Sequence, residues 1–185
     1  MTDQVQKIDR FFSDDFLSSL RSRIDFIKGQ EDPMTQVGDW VMSPGLYDDL
    51  LHHTGLIAMV RKWFGNDGLV PSICSGEYFP EKSDMPLVNG ADIMRYQIII
   101  QLTENEDWGF KYYSDGDLKS IVLGAGEVVA YDSSNLMTGR CITSNEQGQV
   151  RLCYVDGDSE HRFTGIMNIG LSTYLKYREQ HERRV

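Results

Sequence analysis

The sequence predicts a single α+β domain that is mainly β, with helices near the N-terminus packed on one sheet of an antiparallel sandwich or jelly roll. Three observations carry this prediction. Apolar residues recur at helical spacing between about residues 12 and 65. From Ile73 onward, short runs of β-branched and aromatic residues alternate with clusters of glycine, aspartate and asparagine. The length of 185 residues suits one domain, residues 1–185, with a substantial core.

The helical part contains two apolar patterns. The first begins after Ser13, which suits an N-cap, and ends near Gly29. The second opens at Ser43, has a proline at its first position and stops at Gly65. Thr54-Gly55 is a candidate break between two helices within it. The apolar stripe of the first helix consists of Phe16, Leu17, Leu20, Ile24 and Ile27.

Eight short strands are predicted for the sandwich, which extends over about residues 73–170. Turn residues at 114–117 and 145–148 favour hairpins, because Gly, Asn and Asp tolerate positive φ. A surface helix is predicted over about residues 172–183. The predicted strands are Ile73–Phe79, Arg95–Leu102, Phe110–Tyr113, Ser120–Leu123, Val128–Tyr131, Arg140–Thr143, Val150–Val155 and Arg162–Ile169.

The charge, the apolar content and the cysteines argue against several classes of partner and of cellular location. The net charge of −10 disfavours nucleic acid and anionic membrane surfaces as partners. The N-terminus lacks the apolar stretch of a secretory signal, and no segment has the roughly 18 apolar residues of a membrane span. Cys74, Cys141 and Cys153 form neither a disulfide framework nor a zinc motif. We therefore expect a cytoplasmic protein, for which exposed strand edges permit a homodimer without requiring one.

Five short segments follow the helices in a recognisable order. They are Glu77–Glu81, Arg95–Leu102, Asp107–Gly109, Gly126–Ser133 and Val150–Leu152. This order, spread between about Ile8 and Val155, resembles the iron(II)- and 2-oxoglutarate-dependent dioxygenases, and most closely their prolyl-4-hydroxylase-like branch. The resemblance implies a double-stranded β-helix, the cupin-like form of the jelly roll. It also implies an iron held by two histidines and one carboxylate, with 2-oxoglutarate beside it.

The sequence departs from this family at the metal ligands. The family's His-x-Asp would fall within Met85–Asp92, which contains no histidine. Its second histidine aligns with Thr138, whose hydroxyl is a poor ligand for iron(II). The four histidines are His52, His53, His161 and His181, so residues 54–160 contain none. We therefore expect no iron in the sandwich, while 2-oxoglutarate or another small carboxylate remains open as a ligand.

One anion-binding group of the family has a counterpart. Arg151 matches the arginine that grips the far carboxylate of 2-oxoglutarate, because its planar fork suits a carboxylate. A buried arginine needs an anion, which is either a ligand carboxylate or an internal Asp or Glu. The alignment gives the candidate ligand-binding residues Arg151, Tyr78, Arg95, Tyr131, Asp92 and Thr138.

Three functions stay open on the sequence. The preferred one is a diverged member of the superfamily that binds a small anionic ligand or a partner protein in or near the retained cavity. A second is a metal-independent isomerase or cyclase that uses acids such as Glu77, Asp92 or Asp132 and the phenol of Tyr78. A third is an active iron oxygenase with unusual ligands: Asn89, Asp92 and His161.

Overall fold

The structure, a computed structural model, describes residues 5–9, 11–28, 36–37, 40–44, 46–83, 85–89 and 95–159. The predicted strand Arg162–Ile169 and the predicted C-terminal helix lie outside these residues. So do the candidate ligands Asp92 and His161. None of the helices within the described ranges is long and apolar enough to cross a membrane.

Three α-helices and eleven strands are described, together with a short 3-10 helix at Ser133–Asn135. The helices are α1 (Asp14–Lys28), α2 (Asp48–Leu51) and α3 (Thr54–Phe64). The strands are β1 (Val5–Ile8), β2 (Gln36–Val37), β3 (Trp40–Pro44), β4 (Leu69–Phe79), β5 (Met85–Asn89), β6 (Tyr96–Gln101), β7 (Gly109–Ser114), β8 (Asp117–Val122), β9 (Val128–Asp132), β10 (Met137–Arg140) and β11 (Gln147–Asp156).

The strands form two antiparallel sheets. The larger sheet has the order β1-β9-β6-β11-β4-β3-β2, and the smaller has the order β5-β10-β7-β8. Strands that follow one another in sequence alternate between the two sheets from β4 to β7 and again from β8 to β11, which is the winding of a jelly roll. The α+β, mainly β fold class predicted from the sequence is confirmed.

The helices cover one face of the seven-stranded sheet. The buried side of α1 presents Leu17, Leu20, Ile24 and Ile27, as its apolar stripe predicts. Helix and sheet approach closely at Gly76 of β4, where an added Cβ would lie 2.8 Å from the Ile27 side chain and nearer still to the ring of Tyr47. That tyrosine is fully buried, and its hydroxyl donates to the Leu20 carbonyl at 2.7 Å.

The second helical prediction is wrong at its start. The chain around Ser43 forms β3, which pairs with β4, and the helix α2 begins only at Asp48. Pairing with the long β4 strand supplies backbone hydrogen bonds that override the local helical pattern. The break near Thr54 is present, because the His53 imidazole accepts from the Leu56 N–H and so caps α3.

The strand predictions also need correction. The predicted strand Arg140–Thr143 is instead β10, Met137–Arg140, which ends where the predicted range begins. Beyond it, the Cys141 N–H still donates to the Gly109 carbonyl of β7. The strands β1 and β2 were not predicted, and neither was β5. Its sequence lacks a clear alternation of apolar and polar residues, and its pairing with β10 defines it.

Candidate anion site between the sheets

Three charged side chains are buried among the residues that the structure describes. Glu77 on β4 and Arg140 on β10 are 0% exposed, and Arg151 on β11 is 7% exposed. Arg140 comes from the smaller sheet and the other two from the larger sheet, yet Gln149 of β11 hydrogen-bonds both Arg140 and Glu77. These four residues, which we call the interior cluster, therefore meet in the space between the two sheets.

Arg151 and Glu77 form a two-point ion pair. The arginine Nε lies 2.7 Å from one carboxylate oxygen, and its Nη2 lies 3.3 Å from the other. The remaining Nη1 donates to the amide oxygen of Gln97 at 2.6 Å. Burial alone would lower the pKa of Arg151, but the charge of Glu77 raises it overall. The internal acid left open by the sequence is thus Glu77, and it already fills the arginine fork.

Tyr131 and Thr138 adjoin this pair. The Tyr131 hydroxyl donates to Gln97 at 2.7 Å and accepts from Arg151 at 3.2 Å. Thr138 hydrogen-bonds the same phenol, and burial raises the phenol pKa. Of the candidate ligand-binding residues, the structure therefore brings Arg151, Tyr131 and Thr138 together.

Arg140 is held differently, by neutral groups. Its Nη atoms reach the amide oxygens of Gln149 and Gln101 and the carbonyl of Trp108, the latter two at 3.5 Å. Its guanidinium lies 4.1 Å from the centre of the Trp108 ring, a cation–π contact. Burial, reinforced by the charge of Arg151, lowers the pKa of Arg140 to about 9, so the group is still a cation at neutral pH.

Sequence reasoning missed Arg140. The signal was available in the alternation of the strand, because Arg140 stands two residues after Thr138 and so shares its face. The interior cluster as described has two guanidinium groups and one carboxylate, and its formal charge is therefore one positive unit.

Tyr78 and Arg95 do not join the cluster. Tyr78 follows Glu77 on β4, so it points to the opposite face of the sheet, where its hydroxyl donates to Glu146 at 2.6 Å. Burial and Glu146 raise its pKa. Arg95 is 41% exposed and pairs with Asp156 at 2.8 Å and Asp132 at 3.5 Å.

The described residues do not fit an iron site of the kind that the family uses. No three His, Cys, Asp or Glu side chains gather as a metal-binding group within them. Beside the aligned position Thr138, the nearby side chains offer a phenol and the Glu77 carboxylate, which is committed to Arg151 and Gln149. The buried thiol of Cys153 has its pKa raised to about 12 by burial, which disfavours the thiolate that a metal requires.

Comparison with known proteins identifies the fold. No protein-family profile and no curated protein sequence matches the chain. An oxidoreductase of the 2OG-Fe(II) oxygenase family from Burkholderia pseudomallei superposes with a TM-score of 0.70 at 14% identity, over 88% of this chain and 89% of that one. HygX from Streptomyces hygroscopicus, with nickel, 2-oxoglutarate and hygromycin B bound, gives 0.71 at 14% identity, over 86% of each chain.

A prolyl-4-hydroxylase from Pseudomonas putida is also similar, with a TM-score of 0.69 at 12% identity, over 83% of this chain and 92% of that one. All three matches cover most of both chains, so the likeness concerns the whole domain. At such low sequence identity, the likeness establishes the architecture of this chain but not its chemistry. The chain has the double-stranded β-helix fold of the 2-oxoglutarate- and iron(II)-dependent oxygenases.

Proposed function

We propose that this protein binds a small organic carboxylate between its two sheets, and that this binding replaces the iron chemistry of the proteins whose fold it shares. The observation that carries the proposal is the charge of the interior cluster, in which Arg140 and Arg151 face one buried carboxylate among the residues that the structure describes. The sequence supports the proposed loss of iron chemistry, since residues 54–160 contain no histidine.

The excess charge makes an anion favourable there. Removing a cation from water costs several kcal/mol unless an opposite charge and hydrogen bonds compensate it. Glu77 pairs directly with Arg151, whereas the direct partners of Arg140 among the described residues are amide and carbonyl oxygens and two aromatic faces. A ligand carboxylate beside the cluster would supply the missing negative charge in a low-dielectric setting, where such pairing is strong.

We place the approach of the ligand at one end of the sandwich, beside Val88 of β5. Val88 of β5 lies directly opposite Thr138 of β10, so both belong to the inner face of the smaller sheet. Thr138 is 2% exposed, but Val88 is 48% exposed. The ligand is proposed to approach beside the exposed Val88 side chain, next to Thr138.

Thermal unfolding in the presence of carboxylates tests the proposal. A panel of small mono- and dicarboxylates is compared with the matching uncharged amides at constant ionic strength, because salt screens weak anion effects. We expect at least one carboxylate to stabilise the protein. At about a hundred times its dissociation constant, the gain should be about 2.7 kcal/mol. A uniform lack of response would refute the proposal and favour a partner protein instead.

A blocking substitution tests the location. Val88→Trp places a large ring at the open end and should abolish the response to the carboxylate. Val122→Trp is the matched control, because Val122 is 40% exposed and lies on β8 of the same sheet, away from that opening. An equal response in both variants would show that the ligand binds elsewhere.

The iron hypothesis has its own test. Protein supplied with iron(II), 2-oxoglutarate and oxygen is expected to form no succinate above a buffer control. Oxygen-dependent succinate formation, together with iron that copurifies in stoichiometric amount, would replace the proposal with an oxygenase that uses other ligands.

A further inference from the structure

We infer that the ligand carries a single negative charge and that Arg140, backed by the ring of Trp108, is the residue that holds it. This inference rests on the proposed function and narrows it in two respects, namely the charge of the ligand and the arginine that binds it. It also departs from the expectation that the sequence alone gives, in which Arg151 would receive one end of a dicarboxylate.

The polar partners of Arg151 come from within the protein. Its Nε and Nη2 donate to the two oxygens of Glu77, its Nη1 donates to Gln97 and Tyr131, and its Nη2 also lies 3.8 Å from the Met85 sulfur. The carboxylate of Glu77 is itself tied down by hydrogen bonds from Gln149 and, at 3.3 Å, from the Ser75 hydroxyl. The chain thus provides its own carboxylate for the fork, and an incoming anion would have to displace a buried ion pair.

Arg140 is the opposite case. Its Nε–H is buried and has no acceptor among the described residues, and the same holds for the indole Nε1–H of Trp108, whose ring the guanidinium covers. Buried donors of this kind are rare in folded proteins, because each one lacks a hydrogen bond that it would make in water. Two unpaired donors on touching side chains, one of them cationic, are suited to a carboxylate oxygen.

The charge count selects a monoanion. The interior cluster holds two positive charges and one negative charge, so one added carboxylate brings the buried charge to zero. A dicarboxylate bound in the same space would bring it to one negative unit and would lose the hydration of a second anionic group. 2-Oxoglutarate, which the similar HygX structure contains, is such a dianion.

A matched ligand pair tests the charge. 2-Oxopentanoate and 2-oxoglutarate have the same five-carbon 2-oxo acid skeleton and differ by the terminal carboxylate. Measured by calorimetry at constant ionic strength, the wild-type protein should bind 2-oxopentanoate at least about ten-fold more tightly than 2-oxoglutarate. Butyrate and succinate form a second pair that should rank in the same order. Equal or tighter binding of the dianion in both pairs would overturn the inference.

Changing the charge of the interior cluster should change whether the monoanion or the dianion binds more tightly. Glu77→Gln raises the buried charge to two positive units, so the dianion should now bind at least as tightly as the monoanion. The double variant Glu77→Gln/Arg151→Gln restores a single positive unit and leaves Arg140 intact, so it should again prefer the monoanion. Circular dichroism checks that each variant is folded. If Glu77→Gln alone is unstable, the double variant provides the test, and a preference for the dianion there would contradict the inference.

Removing Arg140 tests the binding residue. Arg140→Gln leaves the Arg151–Glu77 pair in place and should reduce monoanion affinity at least about thirty-fold, whereas the double variant, which keeps Arg140, should reduce it less than Arg140→Gln does. The reverse result would assign the ligand to Arg151 and overturn this inference while the proposed function stands. Failure of every carboxylate to bind the wild-type protein would instead refute the proposed function itself.

Discussion

The two faces of the seven-stranded sheet use the same strands for different purposes. On the face covered by the helices, β11 contributes Val150, Leu152 and Tyr154 to a continuous apolar cluster. On the inner face, the same strand contributes Gln149 and Arg151 to a hydrogen-bonded network of charged and amide groups. The comparison indicates that the helix face carries most of the fold's stability, so the inner face can hold groups that are costly to bury.

The two faces also differ in how their residues depend on one another. An apolar side chain such as Leu152 gains from burial almost regardless of which apolar neighbour it meets. A buried charge such as Arg151 is tolerated only while its specific partner remains. Substitutions on the inner face should therefore be strongly coupled, and those on the helix face should not.

The largest effect is expected from breaking the inner ion pair. Arg151→Gln leaves the Glu77 carboxylate buried without its cation and should lower the free energy of unfolding by about 3–5 kcal/mol. The double variant Glu77→Gln/Arg151→Gln should recover most of that loss. Urea denaturation of the three proteins checks this, and a double variant no more stable than Arg151→Gln would contradict the coupling.

A truncation on the helix face should cost nearly as much but leave ligand binding unchanged. Leu152 is fully buried in the apolar cluster, so Leu152→Ala should lower the free energy of unfolding by about 2–5 kcal/mol. Leu118→Ala is the control, because Leu118 is 57% exposed and its loss should cost no more than about 0.5 kcal/mol. Carboxylate affinity measured below the unfolding temperature should stay at the wild-type value in both variants.

A smaller loss is expected where the helix face is most tightly packed. Gly76→Ala would bring a methyl group against Tyr47 and Ile27 and should cost about 1–3 kcal/mol. Gly124→Ala is a suitable comparison, since a Cβ there would lie at an ordinary 3.6 Å from Glu127. Equal stability of the two variants in chemical denaturation would show that the helices can shift away from the sheet.

The smallest effect should come from an ion pair at the rim, which contrasts with the buried one. The Glu127 carboxylate lies 2.7 Å from Lys7 Nζ and accepts from the Gly124 N–H at 2.6 Å. Burial alone would raise the pKa of Glu127, but these contacts lower it overall. Glu127→Gln should therefore cost about 0.5–1 kcal/mol at neutral pH.

The pH dependence follows from the direction of that shift. The stability that Glu127 contributes is fully present above the ordinary pKa of a glutamate and is lost as the pH falls through its lowered value. The difference between wild type and Glu127→Gln should therefore shrink as the pH falls below the ordinary pKa of a glutamate and disappear once the pH has passed below the lowered pKa. A difference that persists in acid would mean that the carboxylate acts through packing and not through its charge.

Sequence patterns predicted the elements whose signals are local. Helix α1 was predicted from Ser13 to about Gly29 and extends over Asp14–Lys28, because an N-cap and a 3.6-residue period mark it within its own sequence. Strand β6 was predicted as Arg95–Leu102 and extends over Tyr96–Gln101. The start of the second helix could not be predicted locally, since β3 forms by pairing with a strand some thirty residues away.

The candidate site was predictable only in part. Arg151, Tyr131 and Thr138 lie together as the alignment suggested, whereas Tyr78 falls on the other face of β4. Successive side chains of a strand point to opposite faces, so the sequence could have placed Tyr78 and Glu77 on different faces of β4 if the inward face had been known. The environment of Arg140 depends on a contact between the two sheets, which no single strand encodes.

The two-sided character of β11 constrains how this strand can pair during folding. A shift of its register by a single residue would turn every one of its side chains to the opposite face. Arg151 would then be pressed against the apolar helices, and Leu152 would enter a space lined by glutamine and glutamate. Such a mispaired sheet would be destabilised on both of its faces. The polar residues between the two sheets therefore also disfavour misfolding of the chain.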